Sequence, residues 1–276
     1  MTRGKSIREL IKIALKEDIG AGDVTTKFIL PSKSKTTALI IAKEKGILAG
    51  VDIAKQVFHS VDKTLRFIPM KSDGDKLIPK TVIASISGDV GSILTAERTT
   101  LNFLQHLSGI ATLTNQFVTA VKGTKVKILD TRKTIPGMRV LEKHAVKVGG
   151  GENHRFGLYD MVLIKSNHIK AVGGFAQAMN RAEKANRKGL KVEIETKTLA
   201  EVKTALSLNA KMIMLDNMTI AEMQKAVEMG KAKFEASGGV NLRNVREIAK
   251  TGVDYISVGA LTHSAPALDI SLKILP

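Results

Sequence analysis

The chain has 276 residues, of which 43% are hydrophobic, so it can bury the core of one large domain or two smaller ones. It contains no cysteine, which excludes disulfides, thiol nucleophiles and thiolate metal sites. No apolar run approaches the roughly 18–20 residues of a membrane span, and we expect a cytoplasmic protein. The net charge of +17 leaves nucleic-acid binding open, but only 4% of residues are aromatic and no nucleic-acid-binding motif is present. The charge therefore favours anionic metabolites as partners.

The first part of the chain mixes helices and strands without regular alternation, which predicts an α+β domain. The predicted elements are a helix over 6–16, a loop over 17–26, strands within 36–50, a helix over 52–61, and strands at 65–70 and 81–88. A long apolar-periodic stretch over 94–121 follows, and it is predicted to form two helices that break near Ser108-Gly109. By charge pattern alone, Arg98 in this stretch belongs to a solvated helix face.

From residue 126 onward, short apolar strands alternate with helical patterns. The predicted strands are 126–130, 161–165, 191–195, 211–216, 233–237 and 255–259. A helix that starts at Pro136 is predicted after the first strand, and four more helices are predicted within 174–252. This alternation indicates a parallel α/β sheet, and the short repeat favours a TIM-like barrel over a doubly wound fold.

The predicted barrel strands end in polar, charged or glycine residues. Because barrel active sites lie at the carboxyl ends of the strands, these residues are candidates for a functional site. They are Asp130 with Arg132 and Lys133, Lys165, Glu195, Asp216, Ser237 with Gly238 and Gly239, and Gly259.

Cationic side chains dominate the segment 128–169. Arg132, Lys133, His154, Arg155 and Lys165 suit the recognition of carboxylates and phosphates. The alternative is a surface network of ion pairs, although few acidic residues are nearby. The sequence shows no convincing second metal ligand for His154, so zinc is not favoured.

Two carboxylates and two glycine-bearing loops complete the candidate site. Glu195 and Asp216 can bind Mg²⁺, accept hydrogen bonds from ribose hydroxyls or stabilise a developing cation; alternatively they cap helices or pair with lysines. The segment SGGV (237–240), which opens a predicted helix, is a candidate phosphate cradle together with SVGALTHS (257–264).

Eight motifs stand in an order that resembles the quinolinate phosphoribosyltransferases, also called carboxylating nicotinate-nucleotide pyrophosphorylases. They are EDIGAGDVTT, ERTTLNFLQHLSGIATLT, LDTRKTIPGMRVLEKHAVKVGGGENHRFGLYD, LIKSNH, VEIE, MLDNM, ASGG and SVGALTHSAPALDISLKI. The resemblance covers essentially the whole chain. It implies an N-terminal α/β sandwich domain over 1–108, joined by the C-terminal tail 267–276, and an open α/β barrel of about seven strands over 109–266.

The resemblance also implies an activity. Phosphoribosyl is transferred from 5-phosphoribosyl 1-diphosphate to quinolinate with decarboxylation, which gives nicotinate mononucleotide, CO₂ and diphosphate for de novo NAD biosynthesis. The implied cofactor is Mg²⁺. The implied assembly is a homodimer, or a higher even oligomer, in which Arg98 of one subunit reaches the barrel mouth of its neighbour.

Carried over by position, the resemblance places each candidate residue at one part of the two substrates. Arg98, Arg132, His154, Arg155 and Lys165 would surround the carboxylates of quinolinate. The catalytic residues would be Lys133, near the diphosphate, and Glu195 and Asp216, near the ribose hydroxyls and Mg²⁺. Ser237, Gly238, Gly239, Gly259, Ala260 and Leu261 would lie near the 5′-phosphate. The usually acidic position between Lys165 and Asn167 is Ser166 here, which removes one carboxylate.

Two alternatives remain at this point. A paralogous enzyme that uses another acceptor would keep the phosphate loops and change the cationic pocket, although the intact GGGENHR and DTRKT segments argue against it. A non-enzymatic anion-binding or nucleic-acid-binding protein is the second alternative, and its DNA binding would depend strongly on salt.

Overall fold

A computed structural model describes residues 3–31 and 34–276. The chain forms two compact units, one from Met1–Asn115, Thr134–Gly150 and Ser264–Pro276, the other from Gln116–Lys133 and Gly151–His263. None of the described helices combines the length and apolar character needed to cross a membrane.

The elements up to the long central helix are α1 (Arg3–Ile19), α2 (Val24–Ile29), β1 (Lys35–Ala42), β2 (Gly46–Ile47), α3 (Val51–Val61), β3 (Arg66–Pro69), β4 (Lys76–Leu77), β5 (Val82–Asp89) and α4 (Val90–Ala120). The next elements are β6 (Lys127–Leu129), α5 (Arg139–Val148), β7 (Val162–Ile164), α6 (Ser166–Val172), α7 (Phe175–Ala185), β8 (Val192–Thr196) and α8 (Leu199–Ser207). The chain ends with β9 (Met212–Asp216), α9 (Ile220–Glu228), β10 (Lys233–Ser237), α10 (Val245–Lys250), β11 (Tyr255–Ser257), α11 (Ala260–His263) and β12 (Ile270–Ile274).

The first unit is built on a four-stranded antiparallel sheet in the order β12-β1-β5-β3. Ile40, Phe58 and Ile86 are fully buried between this sheet and its helices. The α/β domain predicted for the N-terminal part is therefore confirmed. The C-terminal tail pairs with β1, with Ile40 opposite Leu272.

The predicted break at Ser108-Gly109 is wrong, because α4 continues for 31 residues. Ser108 is fully buried, and its hydroxyl accepts a hydrogen bond from the N–H of Ala49 (3.0 Å) and donates one to its carbonyl (3.2 Å). At Gly109, a Cβ would collide with the carbonyl of Pro266. These small residues let the chain at Ala49 and at Pro266 pack closely against α4, and they do not end the helix.

Three other local predictions differ from the structure. The predicted loop over 17–26 ends earlier, because Asp23 accepts a hydrogen bond from the N–H of Thr26 (3.0 Å) and starts α2. Helix α5 begins at Arg139 rather than at Pro136. Helix α6 was not predicted, since its seven residues are too few to show a clear helical period.

The second unit is built on a six-stranded parallel sheet in the order β6-β11-β10-β9-β8-β7. All six predicted strands are present, and the α/β barrel prediction is confirmed in its open form. An isolated parallel β-bridge between Leu129 and Glu152 places a seventh segment beside β6. In the described ranges, no strand pairing joins β6 to β7.

The predicted domain boundary at residue 108 falls inside α4, and α5 belongs to the first compact unit, where it contacts α1. A compact unit is defined by contacts in space, so it can include a segment that lies between two barrel strands in the sequence. The two compact units therefore divide the chain at different residues from the predicted domains 1–108 and 109–266.

Candidate active site

A cavity of about 690 Å³ lies in the second unit, at the carboxyl ends of its parallel strands. It brings together most of the candidate residues, although they are far apart in the sequence. Those that line it are Arg132, Lys133, His154, Arg155, Lys165, Glu195, Asp216, Ser237, Gly238, Gly239, Gly259 and Ala260. Two candidates do not line it: Arg98 is exposed on α4, and Leu261 is fully buried.

Strand register explains why these residues meet. Asp216 ends β9 and Ser237 ends β10, and the two are paired in the parallel ladder. Glu195 lies one residue before the end of the neighbouring strand β8. Because parallel strands all point the same way, their last residues share one edge of the sheet.

The glycine loop after β10 requires its glycines. Gly238 has a φ of +94° and Gly239 a φ of +61°, and a Cβ on Gly238 would collide with the side chain of Asn217. The sequence predicted that a helix starts here, but α10 begins only at Val245. The candidate phosphate cradle is therefore a loop and not a helix N-terminus.

Lys133 is held where the chain leaves β6. Its N–H donates to Thr131 Oγ1 (3.0 Å), and its carbonyl accepts a hydrogen bond from Thr262 Oγ1 (2.7 Å). A Cβ on Gly259 would lie 3.0 Å from Lys133 Cδ, so the glycine leaves room for the lysine side chain. The candidate diphosphate-binding lysine and the second glycine loop are thus in contact.

The cationic part of the cavity contains neighbouring arginines. Burial lowers the pKa of Arg155, and so does the positive charge of nearby Arg132. Arg155 Nη1 donates to the Met161 carbonyl (3.2 Å), and the charges of Asp160 and Glu193 only partly offset the effects of burial and of Arg132. A ligand that carries carboxylates would relieve the repulsion between these cations.

The acidic part contains Glu195 and Asp216, both half-buried. Glu195 Oε1 accepts hydrogen bonds from the hydroxyl (2.6 Å) and the N–H (3.3 Å) of Ser166. Asp216 accepts one from Asn217 Nδ2 (3.0 Å), and Lys197 Nζ lies 3.8 Å from its other oxygen. Two half-buried carboxylates on one cavity wall are oxygen ligands of the kind that Mg²⁺ prefers, so these residues fit that ion.

A buried cluster that the sequence did not predict lies beside the cationic part. His154 Nε2 is 3.0 Å from Glu193 Oε2 and 3.4 Å from Glu235 Oε2, and both glutamates are fully buried. Glu193 lies two residues before Glu195, and Glu235 two residues before Ser237. Since alternate residues of a strand share a face, this spacing was the signal that could have identified them.

The hydrogen bonds of His154 identify its tautomer. The N–H of Arg155 donates to Nδ1 (2.8 Å), so the ring hydrogen lies on Nε2 and points to Glu193. A metal ion at His154, Glu193 and Glu235 would need the Nε2 lone pair. The three residues lie close enough for a metal site, but this tautomer does not fit one.

The cluster binds protons more tightly than its members do in water. Burial, aided by the charge of Glu235, raises the pKa of Glu193 to about 7. Burial lowers the pKa of His154, whereas the hydrogen bonds and charges of Glu193 and Glu235, when both are ionised, raise it to about 10. A second ring proton would lie on Nδ1, where it would face the N–H of Arg155. The geometry therefore favours Glu193 as the carrier of an additional proton.

Further residues line the cavity without having been named as site residues: Thr131, Leu163, Met214 and Asn217. Val240, Ser257, Val258 and His263 also line it, and they lie within the predicted phosphate-cradle segments 237–240 and 257–264. His263 lies four residues after Gly259, inside a motif that the sequence had already singled out.

This fold and site define an α/β-barrel protein whose cavity suits a ligand with several carboxylate or phosphate groups. The family model for the quinolinate phosphoribosyl transferase N-terminal domain matches residues 23–108, and that for the C-terminal domain matches residues 110–273. The chain belongs to the quinolinate phosphoribosyltransferase family.

Named relatives are similar over nearly the whole chain. A probable nicotinate-nucleotide pyrophosphorylase [carboxylating] of Bacillus subtilis is 42% identical, over 97% of this chain and 93% of the relative. A quinolinate phosphoribosyltransferase [decarboxylating] of Nicotiana tabacum is 44% identical, over 97% and 82%. The structure of the Francisella tularensis nicotinate-nucleotide pyrophosphorylase has a TM-score of 0.95 at 43% identity, over 100% of this chain and 98% of that one.

Proposed function

We propose that this protein transfers phosphoribosyl from 5-phosphoribosyl 1-diphosphate to quinolinate and decarboxylates the product, giving nicotinate mononucleotide, CO₂ and diphosphate. Such a pentosyltransferase would serve de novo NAD biosynthesis. The proposal rests on one observation: in a chain of this family, one cavity is lined by cationic side chains, two carboxylates and two glycine loops.

The cationic wall is proposed to bind quinolinate. Arg132, Arg155 and Lys165 can pair with its two carboxylates, with His154 beside them. This pairing would orient the pyridine nitrogen towards the ribose carbon that it attacks. When the ring's 2-carboxylate leaves as CO₂, its bonding electrons remain on the ring carbon, which takes up a proton. Nearby cations would stabilise that developing negative charge.

The acidic part of the cavity, with Lys133 and the two glycine loops, is proposed to bind 5-phosphoribosyl 1-diphosphate. Ser237, Gly238 and Gly239, with Gly259 and Ala260, would receive the 5′-phosphate, and Lys133 the diphosphate. Glu195 and Asp216 would hold the ribose hydroxyls and Mg²⁺, directly or through water. The bound ion would supply positive charge against the diphosphate. The same carboxylates would offset the positive charge that the ribose carbon gains as its bond to diphosphate breaks.

The proposal includes a homodimer with shared sites, in which Arg98 of one subunit completes the quinolinate pocket of the other. Arg98 is exposed on α4, where it is accessible to a second copy. Helix α2 exposes 61% of Val24, 80% of Phe28 and 72% of Ile29, an apolar surface that an interface would bury. We also propose the domains 1–108 with 267–276 and 109–266, and a cytoplasmic location.

The test is turnover by the purified protein with quinolinate, 5-phosphoribosyl 1-diphosphate and Mg²⁺, followed as nicotinate mononucleotide and CO₂. Nicotinate in place of quinolinate serves as the control acceptor, and we expect no product from it. Arg132→Ala should lower kcat/KM for quinolinate by about 10- to 100-fold, since a charge-assisted hydrogen bond contributes about 1.5–3 kcal/mol. Near-wild-type kinetics of this variant would contradict the proposed quinolinate pocket.

A further inference from the structure

The ring of His154 lines the cavity, but its two nitrogens are already engaged within the protein. Nδ1 accepts the N–H of the next residue, Arg155, at 2.8 Å. Nε2 lies 3.0 Å from Glu193 and 3.4 Å from Glu235. A carboxylate of the substrate could gain a hydrogen bond from His154 only if one of these contacts broke.

The main chain around His154 is held from a second side. The N–H of His154 donates to Asp130 Oδ1 (2.9 Å), and Asn153 also donates to the Asp130 carboxylate. Asp130 is fully buried at the carboxyl end of β6. The backbone from Asn153 to Arg155 is therefore fixed both by this aspartate and by the His154 ring.

The two glutamates are the least expected residues of the cluster. Both are fully buried, and among the described residues Glu193 Oε1 and the two oxygens of Glu235 have no hydrogen-bond partner other than the 3.4 Å approach of His154 Nε2 to Glu235 Oε2. Buried carboxylates with unsatisfied oxygens destabilise a fold, so they need a compensating role. Their shared contact is the Nε2 atom of His154.

We propose that His154 is a positioning residue that acts through the Arg155 main chain, and that Glu193 and Glu235 hold its ring in place. The inference rests on the proposed function and refines it, because Arg155 then provides the contact to quinolinate. His154 presents ring carbon to the substrate and provides no hydrogen bond to it.

Two substitutions at position 154 separate this role from direct binding. In His154→Asn, the side-chain oxygen lies near the former Nδ1 position and can still accept the N–H of Arg155. We expect His154→Ala to raise KM for quinolinate about tenfold or more, and His154→Asn to raise it less than about threefold. KM for 5-phosphoribosyl 1-diphosphate should stay within about twofold in both variants. Equal losses in the two variants would overturn the proposal.

A second pair of substitutions tests the role of Glu193. Glu193→Gln keeps an acceptor for Nε2–H and should retain most quinolinate binding, whereas Glu193→Ala removes it and should raise KM about as much as His154→Ala. The matched control is Glu142→Gln, because Glu142 is also fully buried and also bonds a histidine, His106, at 2.9 Å. That control should leave both KM values unchanged. Equal KM values in Glu193→Ala and the wild type would overturn the role of Glu193.

A spectroscopic measurement tests the geometry independently of turnover. Long-range ¹H–¹⁵N correlation on protein with ¹⁵N-labelled histidine, assigned through His154→Asn, reports the protonation of each ring nitrogen. We expect hydrogen on Nε2 alone at pH 7, and a doubly protonated ring or an Nδ1–H tautomer would overturn the proposal. If the wild type makes no product from quinolinate, the proposed function fails, while this measurement still decides the role of the ring nitrogens.

Discussion

Ser166 shows how one residue can affect a neighbouring carboxylate. Its hydroxyl and N–H both donate to Glu195 Oε1, at 2.6 and 3.3 Å. The nearby Lys197 approaches a different carboxylate, that of Asp216. The family resemblance showed only that a usually acidic position is serine in this chain. The structure shows that the serine which replaces it is a hydrogen-bond donor to a candidate catalytic residue.

We predict that Ser166→Ala lowers kcat/KM for 5-phosphoribosyl 1-diphosphate by about tenfold, because a hydrogen bond to a charged group contributes about 1.5–3 kcal/mol. Steady-state kinetics with that substrate varied would measure the change. Ser166→Thr keeps a hydroxyl donor and should retain most of the wild-type kcat/KM. Ser207→Ala removes a comparable helical hydroxyl, which donates to the Thr204 carbonyl, and serves as the control. Unchanged kinetics in Ser166→Ala would mean that Glu195 does not need this donor.

Glu193 predicts a pH dependence of stability. Its pKa in the folded protein is about 7, above its ordinary value of 4.5. Below pH 4.5 the carboxyl is protonated in both states, and its burial has no ionisation cost. Between pH 4.5 and 7 the unfolded chain releases the proton first, so the free energy of unfolding decreases as the pH rises, by at most about 1.4 kcal/mol per pH unit.

Glu193→Gln cannot ionise and should lose this dependence. Urea denaturation at pH 5 and pH 7.5 would measure it, and the variant should gain stability relative to the wild type at the higher pH. A parallel decrease in both proteins would show that another group causes the effect.

At the scale of elements, the loop after β10 depends on two glycines that differ in their surroundings. Both have positive φ, but only Gly238 faces a neighbour, the side chain of Asn217. Gly239 has open space where a Cβ would stand. Alanine substitutions at the two positions can therefore distinguish the energetic cost of backbone strain from the cost of a steric collision.

We predict that Gly238→Ala destabilises the protein by more than the roughly 1–3 kcal/mol expected of strain alone, and that it raises KM for 5-phosphoribosyl 1-diphosphate. Gly239→Ala should show the strain cost without the collision. Thermal unfolding and steady-state kinetics of both variants would compare the two effects. If Gly239→Ala were the more damaging change, close packing against Asn217 would not explain the loop.

At the scale of the whole molecule, the proposed dimer makes each active site depend on two chains. Arg98 lies in the first compact unit and Lys133 in the second. We predict that Arg98→Ala and Lys133→Ala are each nearly inactive, because each homodimer lacks one contribution at both sites.

Equal mixing with subunit exchange should recover about a quarter of wild-type activity, since half of the dimers are mixed and each of those has one intact site. Co-expression with two affinity tags would isolate the mixed dimer. Two copies of one variant, refolded together, form the negative control. No recovery in a verified mixed dimer would contradict the shared site.

The sequence by itself determined the six barrel strands and the residues at their ends. Hydrophobic period and helix length are local properties, and the parallel arrangement brings the strand ends to one edge whatever the details of packing. For this reason Glu195, Asp216 and Ser237 were placed at one cavity without any knowledge of their contacts. Family resemblance then supplied the chemistry that their spacing had left open.

Only the tertiary structure decided which side chains touch. Helix α4 continues through Gly109 because the chain near Pro266 packs against it, and that contact lies far away in the sequence. His154 meets Glu193 and Glu235 across the sheet, 39 residues from the first of them, so no local spacing could pair the three. Periodicity reports which face of an element is buried, but the partner on the other side depends on how distant elements pack.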